Sequence, residues 1–488
     1  MQNFTSVIKK FSTTFWIANV MELFERWAWY GFYMALAIYL TASTDTGALG
    51  FTQSQKGLIM GTGSMLLYFL PVFTGAIADK IGYKKILILS FFMYITGYFM
   101  MAVFKSYTAI FLAYIYVAVA GALFKPIISA TIAKTTNAET SSIGFGIFYM
   151  MVNIGGFIGP FIAGLLYNIS WNYVFGMSMI TIAVNYLFVF FVFKEPITEK
   201  STLSMAKILK QAFINIIIAL RDFKYLMFLL IMVGFWTAFN QLYYSFPVFL
   251  EQWGNTAMVY SDIYSIWPGL AKFLGTEQGT ISAVTIGSFD AFFIILFQIG
   301  ISTLVMRYKP LNAMIGGIFV LSLGLAIMFS TQNVWYLILG LLIFSLGEMA
   351  SSPKFTEYVG RIAPSDKVAL YMGTSFLPYA GAHQLSGILS GGVFQRIADK
   401  ITLMQKYVAE NGLNVPEISE KFTQNDYINA VCTATGQTET QLTNLLWQTY
   451  HPYNIWILFS AIGFGTAIVL FLYDKFILNR SVKKQVTY

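Results

Sequence analysis

The stretch GAIADKIGYKK (residues 75–85) joins two apolar runs, near residues 55–78 and 84–104, each of membrane-spanning length. A bilayer core about 30 Å thick is crossed by about 20 apolar residues of helix. A short charged loop between two such runs predicts a hairpin of transmembrane helices. Glycines permit a tight turn in this loop, and Asp79 can interact with the N-terminus of a neighbouring helix.

The composition indicates a chain that lies mostly in lipid. Of its 488 residues, 57% are hydrophobic and 11% are charged, whereas soluble domains carry about 25% charged residues. A single cysteine, Cys432, excludes a disulfide within the chain. Only two histidines are present, which argues against a zinc, haem or Ser-His-Asp site. We therefore expect no metal, no cofactor and no enzyme activity.

The same length criterion predicts twelve spans in two sets of six. The first set lies near residues 14–40, 55–78, 84–104, 108–133, 143–168 and 172–193. The second set lies near residues 225–251, 280–306, 311–330, 333–360, 367–396 and 452–474. We expect two six-helix bundles, 1–193 and 225–488, joined by an interfacial or cytoplasmic linker helix within 194–224. The polar stretch 398–450 is expected to form a small helical subdomain outside the membrane.

The positive charge indicates an orientation. If the N-terminus is cytoplasmic, most of the 30 Lys and Arg residues fall in cytoplasmic segments, as the positive-inside rule requires. We therefore expect both termini in the cytoplasm and a location in the plasma membrane, the inner membrane if the source is bacterial. The net charge of +8 then follows from topology and does not require a nucleic-acid partner.

Two six-helix halves joined by a basic linker resemble the architecture of the major facilitator superfamily. The loop at residues 75–85 also resembles that superfamily's G-x-x-x-D-x-x-G-x-K/R-K/R loop. The resemblance implies an all-α integral membrane fold whose two bundles rock about a central cavity. This loop indicates the fold and carries no information about the substrate.

Three ionisable residues lie together in the first predicted span, within MELFERWAWYGFY (residues 21–33). Glu22, Glu25 and Arg26 are spaced to share one helix face. Ionisable groups inside a membrane cost at least about 2.5–3.5 kcal/mol each on insertion scales, so they are functional by default. Two carboxylates beside one guanidinium leave an excess negative charge, so that one carboxyl can take up a proton and free Arg26 for an anionic ligand. The alternative is a static salt bridge that orients the first helix.

The order of motifs along the chain resembles the proton-coupled oligopeptide transporters. Residues 22–26 resemble the E-x-x-E-R motif of that family. Further segments resemble F-K-P-N (124–126), F-Y-x-x-I-N-x-G (148–155), F-W…Q (235–241) and G-E-x-x-x-S-P (347–353). The chain is identified as a divergent member of this family. The resemblance implies a symporter that imports small peptides or peptide-like zwitterions with protons by alternating access.

The resemblance also implies roles for single residues. Glu22, Glu25 and Arg26 would handle protons, with Arg26 and Lys125 binding the substrate carboxylate and Glu348 the ammonium group. The other residues expected to contact substrate are Tyr30, Tyr68, Asn153, Trp236 and Asp290. The implied partners are the substrate, protons and lipid, and we expect a monomer.

Simpler roles stay open for three of these residues. Lys125 can snorkel towards the membrane interface. Glu348 can close a gate by pairing with Lys125 or Lys354, and Asp290 can pair with Lys354.

Several positions depart from the family pattern. A basic residue of the first span is Tyr33, and its acidic partner in the seventh span is Asn240, so a Tyr33–Asn240 hydrogen bond is predicted to replace that ion pair. Lys354 stands where an apolar residue is usual and is a third candidate for gating. Asp290 stands for an asparagine near the pocket for the amino end.

These departures surround the cavity and leave other functions open. One alternative is a proton-driven transporter or exporter of a non-peptide or modified amino acid-derived solute. An integral membrane enzyme would need catalytic groups that the sequence hardly offers. A receptor that binds substrate without transporting it also stays open.

Overall fold

The computed structural model describes residues 8–137, 140–196 and 204–478, and this part of the chain is built from α-helices. No strand longer than an isolated bridge occurs in it. The helices before the linker are α1 (Thr13–Thr41), α2 (Gln53–Phe69), α3 (Pro71–Ile81), α4 (Tyr83–Val103), α5 (Tyr107–Lys134), α6 (Ser141–Leu166) and α7 (Trp171–Phe191).

The later helices begin in the linker. They are α8 (Met205–Leu220), α9 (Phe223–Phe239), α10 (Gln241–Tyr244), α11 (Phe246–Trp253), α12 (Thr256–Ile266), α13 (Pro268–Leu274), α14 (Ala283–Gly287), α15 (Phe289–Val305), α16 (Pro310–Met328) and α17 (Val334–Ile362). These are followed by α18 (Val368–Thr374), α19 (Leu377–Ile388), α20 (Phe394–Ile397), α21 (Lys400–Glu410), α22 (Gln424–Thr435), α23 (Glu439–Tyr450) and α24 (Ile455–Tyr473).

The described residues supply the twelve predicted spans, although not all of them are simple apolar helices. Nine segments are long and apolar enough to cross a membrane, or ten if the bent pair α2–α3 is one span. Helix α1 has 29 residues but contains the three ionisable residues of the first span. The segment 368–397 is divided into α18, α19, a π-helical turn and α20. Counting these two segments gives twelve.

Four predicted spans are broken within the described residues, the eighth between α14 and α15, and prolines account for two of the breaks. Helices α2 and α3 meet at 48°, where Pro71 begins α3. Pro247 lies in the first turn of α11, directly after the break that follows α10. In the eleventh span Gly391 has non-helical angles, φ −87° and ψ −106°. Proline removes one helical hydrogen bond and clashes with the preceding turn, so a break follows at such positions.

The helices pack in two groups with a cavity between them. In the first group α1 packs on α6 and α7, while α2 and α4 pack on α5. In the second group α17 packs on α15 and α16, while α24 packs on α9 and α16. The groups meet where α2 packs against α19 and where α6 packs against α14 and α15. The domain boundaries at 1–193 and 225–488 stay a prediction.

Both long polar segments contain helices, as predicted. Helix α8 lies within the linker, and residues 197–203 of that linker fall outside the described part. Helices α21, α22 and α23 form the subdomain at 398–450. Helices α12 and α13 were not predicted, because 256–274 contains no apolar run of membrane-spanning length. We call the end of the molecule that carries α8 the linker end, and the end that carries 398–450 the subdomain end.

Candidate functional site: a vestibule between the two helix groups

A cavity of about 1060 Å³ lies between the two helix groups and extends to the linker end. We call it the vestibule. Its walls come from α1, α2, α3, α5 and α6 on one side and from α17, α18 and α19 on the other, and α8 adds a further wall. The predicted site residues in its lining are Glu22, Arg26, Tyr68 and Lys125. These four come from α1, α2 and α5, so one helix group supplies all of them.

The acidic and basic residues of α1 form a buried ion cluster. Arg26 Nε lies 3.0 Å from Glu22 Oε1, and Arg26 Nη2 lies 2.5 Å from Glu25 Oε2. Tyr94 on α4 donates a hydrogen bond to Glu25. Glu22 and Arg26 line the vestibule, whereas Glu25 is completely buried behind them. The cluster therefore faces the vestibule through one carboxylate and the guanidinium.

Lys125 changes the charge balance of this cluster. It is an electrostatic neighbour of both Glu22 and Arg26, and its Nζ lies 4.0 Å from the centroid of the Tyr68 ring. A cation over an aromatic face is stabilised by the ring quadrupole. With all groups ionised, Glu22, Glu25, Arg26 and Lys125 sum to zero. The excess negative charge predicted for three residues is thus cancelled by the fourth.

The remaining predicted substrate contacts lie outside the lining of the vestibule. Tyr30 has its ring centroid 5.8 Å from Arg26 Cζ. Asn153 donates from Nδ2 to the Tyr149 carbonyl of its own helix, at 2.8 Å. Trp236 stacks on Tyr379, with the ring centroids 4.0 Å apart. Tyr149 and Tyr379 line the vestibule in their place.

Two further predicted contacts, Asp290 and Glu348, are buried acids of the second helix group. Asp290 is 4% exposed, and its Oδ1 accepts a hydrogen bond from Ser345 Oγ at 2.6 Å. Glu348 is 9% exposed, and its Oε2 has no hydrogen-bond partner among the described residues. The alternative pairing of these acids with Lys354 does not occur in this conformation, because Lys354 Nζ binds Glu357 Oε2 at 2.7 Å, one turn along α17. Glu348 does not pair with Lys125 in the described part of the chain either.

The predicted Tyr33–Asn240 hydrogen bond is also wrong for this conformation. Tyr33 Oη lies 3.4 Å from Ser64 Oγ on α2. Asn240 Nδ2 lies 3.3 Å from His383 Nδ1 on α19, and Tyr244 Oη lies 3.1 Å from the same nitrogen. Each residue thus has a nearer polar partner. Their gating roles, and that of Lys354, stay predictions.

At the subdomain end the two helix groups are in direct backbone contact. A Cβ atom built on Gly57 of α2 would lie 2.1 Å from the Gly387 carbonyl oxygen and 2.8 Å from Gly391 Cα. Beside this contact Lys56 is fully buried, and its Nζ donates to the Tyr244 carbonyl at 2.8 Å. This end of the molecule is therefore closed. Glycine is required at residue 57 because no side chain fits between the backbones.

The helical subdomain fastens the closed end. Asn425 Nδ2 donates to Asp45 Oδ2 at 2.8 Å, and the Asn425 backbone N–H donates to Ser43 Oγ at 3.1 Å. Gln53 Nε2 donates to Asp399 Oδ1 at 2.8 Å. Burial opposes ionisation of Asp45, but hydrogen bonds from Ser43 and Asn425 lower its pKa below the usual value. These contacts, which we call the latch, join the loop after α1 and the start of α2 to the 398–450 subdomain at neutral pH.

Sequence reasoning missed several residues at the site. Tyr94 lies in an apolar span with no neighbouring charge, so nothing in the sequence connects it with Glu25. Tyr149 was read only as part of a motif, and Tyr379 was not considered. Gln211 and Asn215 of α8 line the vestibule, and Gln211 Nε2 donates to Asn215 Oδ1 at 2.9 Å. Their i, i+4 spacing was visible in the sequence, but the position of α8 beside the vestibule was not.

Comparison with known proteins identifies the family and the fold. The sequence model of the family described as Major Facilitator Superfamily matches residues 18–380. Dipeptide and tripeptide permease B of Shigella dysenteriae is 24% identical over 444 residues, covering 80% of this chain and 88% of that protein. The uncharacterized transporter YclF of Bacillus subtilis is 30% identical over 188 residues, covering 38% of this chain and 37% of that protein.

A solved structure resembles the whole chain. It is the crystal structure of a POT family transporter in complex with a thioalcohol conjugated peptide, with a TM-score of 0.68 and 16% identity. The superposition covers 96% of this chain and 99% of the other. At this identity the likeness establishes the shared fold.

Proposed function

Because the chain belongs to the major facilitator superfamily, we propose that it is a symporter that carries small peptides or peptide-like zwitterions together with protons. A relative that matches 80% of the chain is named a dipeptide and tripeptide permease, which supports this substrate class. The observation that carries the proposal is the Glu22–Glu25–Arg26–Lys125 cluster at the vestibule wall. Protons are the coupling ion, and no cofactor takes part.

The charge balance of the cluster supplies the coupling. With all four groups ionised the cluster is neutral and attracts a carboxylate only weakly. A proton on Glu22 changes the sum to +1, and Arg26 then loses one of its two anionic partners. Such a cluster binds the carboxylate of a peptide, because an unpaired buried cation is strongly destabilised. Proton uptake and substrate binding therefore favour each other.

Glu22 is the proton acceptor in this scheme, and Glu25 positions the guanidinium. Glu22 lines the vestibule and makes its ion pair with Arg26 at 3.0 Å. Glu25 is fully buried and is held by both Arg26 and Tyr94. Only the first of these carboxylates can exchange a proton with vestibule water without a rearrangement.

The opposite wall suits the ammonium end of the same substrate. Tyr379 and Phe355 line it with aromatic surface, and Tyr149 of α6 adds a further aromatic ring to the vestibule lining. Glu348 is an electrostatic neighbour of both tyrosines. Aromatic faces and a carboxylate both attract an ammonium group. A zwitterion can thus bridge the two helix groups, which is the arrangement that alternating access requires.

We propose an orientation with the linker end in the cytoplasm. Helix α8 then lies on the cytoplasmic side, both termini are cytoplasmic, and the vestibule is open inwards. The relatives named above are bacterial, so the bacterial inner membrane is the proposed location. The chain is proposed to act as a monomer, because one chain supplies the whole vestibule wall.

Uptake into liposomes tests the proposed function. The purified protein is reconstituted and given an inward proton gradient with labelled alanyl-alanine outside. We expect peptide to accumulate above the external concentration, and accumulation to disappear with a protonophore. Absence of accumulation for a full panel of di- and tripeptides would exclude peptide symport. Efflux of an amphipathic solute against its gradient would instead favour the exporter.

Replacing Lys125 by Gln is expected to weaken recognition of the substrate carboxylate. A hydrogen bond to a charged group contributes about 1.5–3 kcal/mol, so KM for alanyl-alanine should rise about tenfold or more. The KM for an analogue whose carboxylate is blocked as an amide should change little. Lys272→Gln, in the exposed helix α13, is the matched control. An equal rise in KM for both ligands would contradict the assigned contact.

Thiol labelling checks the proposed orientation. In a Cys432→Ser background, a cysteine at Gln211 should react with a membrane-impermeant maleimide only from the cytoplasmic side, because α8 lies at the linker end. A cysteine at Glu417, in the exposed part of the subdomain, should react only from outside. Labelling of intact cells and inverted vesicles distinguishes the two. The reverse pattern would invert the topology.

A further inference from the structure

The second helix group contains two buried acids without a counter-ion. Asp290 on α15 and Glu348 on α17 are 4% and 9% exposed. No Lys or Arg of the described residues lies within ion-pair distance of either acid. Lys354, the nearest cation along α17, is paired with Glu357 at 2.7 Å. The charge of these two carboxylates is therefore not balanced within the described protein.

The two acids are held close together. Ser345 Oγ donates to Asp290 Oδ1 at 2.6 Å, and Ser345 precedes Glu348 by three residues. Residues three apart are neighbours on one helix face, so Asp290 of α15 is hydrogen-bonded to α17 one turn before Glu348. Each acid is also an electrostatic neighbour of the other or of shared tyrosines. Two buried carboxylates this close cannot both be ionised unless a cation lies between or beside them.

The pair retains an acceptor oxygen that can take a hydrogen bond from a ligand. Asp290 has one oxygen occupied by Ser345, but Glu348 Oε2 is buried and has no hydrogen-bond partner among the described residues. A buried carboxylate oxygen without a partner is costly and rare. Tyr149 and Tyr379 are electrostatic neighbours of Glu348 and line the vestibule. The pair thus lies directly behind a vestibule wall that a substrate reaches.

From this geometry we propose that Asp290 and Glu348 together form a cation site that selects peptides with a second positive charge at the amino end. This inference rests on the proposed function, in which Glu348 receives the substrate ammonium group. One ammonium group neutralises one carboxylate and leaves the other in need of a cation. A lysine side chain on the first residue of the peptide lies beside the α-ammonium group and supplies that second charge. Asp290 is the residue that determines this specificity.

Two peptides of equal net charge isolate the effect. Lysyl-alanine carries both positive charges at its amino end, whereas alanyl-lysine carries one at each end. Because their charge and composition are identical, general electrostatic attraction to the vestibule cannot distinguish them. We expect the wild-type protein in liposomes to show a KM for lysyl-alanine about tenfold below that for alanyl-lysine, as one charge-assisted hydrogen bond provides.

Asp290→Asn is expected to abolish this preference, so that the ratio of the two KM values falls to about one. Ser345→Ala removes the hydrogen bond that holds Asp290 and should shift the ratio in the same direction. This second variant provides the test if Asp290→Asn fails to fold. Asp366→Asn, which removes an exposed carboxylate from the loop before α18, is the matched control and should retain the wild-type ratio.

The possible outcomes separate failure of the cation site from failure of the proposed function. A ratio near one in the wild-type protein, or an unchanged ratio in folded Asp290→Asn, would overturn the cation site. If the wild-type protein transports none of these peptides and no alanyl-alanine, the proposed function itself fails. Transport of alanyl-alanine with no preference between the two lysine peptides overturns only the inference.

Discussion

Uptake driven by a proton gradient is expected to fall to the level of empty liposomes when Glu22 is replaced by Gln, while exchange of substrate across the membrane continues. Glutamine is neutral, so it keeps the ion cluster at the charge that it has after protonation. The cluster then binds a carboxylate at any pH, and the loaded protein can still change conformation. The glutamine side chain has no proton to release. The empty cluster therefore cannot return to its neutral state, and the proton gradient no longer drives uptake.

Two transport modes measured on the same liposomes check this prediction. Gradient-driven uptake and counterflow of labelled alanyl-alanine against internal unlabelled peptide are compared for the wild type, Glu22→Gln and Glu25→Gln. Glu25→Gln should also lose gradient-driven uptake, with weaker counterflow, because Glu25 holds both Arg26 and Tyr94. Glu277→Gln, on an exposed loop, is the control. Equal loss of both modes in folded Glu22→Gln would contradict a coupling role.

Replacing Gly57 by Ala is expected to abolish both transport modes. The added Cβ would lie 2.1 Å from the Gly387 carbonyl oxygen and 2.8 Å from Gly391 Cα. A contact between two backbones cannot be relieved by moving a flexible side chain, so α2 and α19 must separate. The subdomain end then cannot close, and the conformation described above is lost. The helices of each group keep their own packing, so we expect the protein to fold.

Thiol accessibility distinguishes a folded protein that cannot close its subdomain end from a misfolded one. Tyr244 is fully buried beside Lys56 in the closed end, so a cysteine at Tyr244 in a Cys432→Ser background should resist an external maleimide. Adding Gly57→Ala should expose it. Gly176→Ala is the control, because nothing lies within 4 Å of a Cβ at that position. Normal counterflow in Gly57→Ala would show that this glycine contact is not needed for closure.

The sequence was sufficient to predict the spans and the ion cluster of the first helix. Both follow from rules that act over short distances. Apolar length determines a span, and the spacing of Glu22, Glu25 and Arg26 places them on one helix face. The helical subdomain and the linker helix were also predicted, because each is a polar segment long enough to form helices of its own.

The contacts between helices could not be predicted in the same way. Lys354 was matched with Asp290 by charge alone. Glu357 lies one turn away on the same helix, so Lys354 can pair with it without any contact between helices. Lys125 was known as a cation, but its place beside Glu22 depends on how α5 packs on the rest of its group. Asn240 was matched with Tyr33, although His383 lies on the helix against which α9 packs. Which partner each side chain contacts depends on how the helices pack in three dimensions. The periodicity of a single sequence does not contain that information.

The latch between the subdomain and the first loop makes Cys432 a built-in reporter of the transport cycle. It is the one cysteine of the chain and lies on α22, the helix that begins with Gln424 and Asn425. Burial raises the pKa of its thiol, so attachment of a fluorophore proceeds faster in mildly alkaline buffer. Opening of the subdomain end separates α22 from the loop that carries Asp45, and this changes the surroundings of the dye. Turnover can then be followed as a change in emission, without an introduced cysteine.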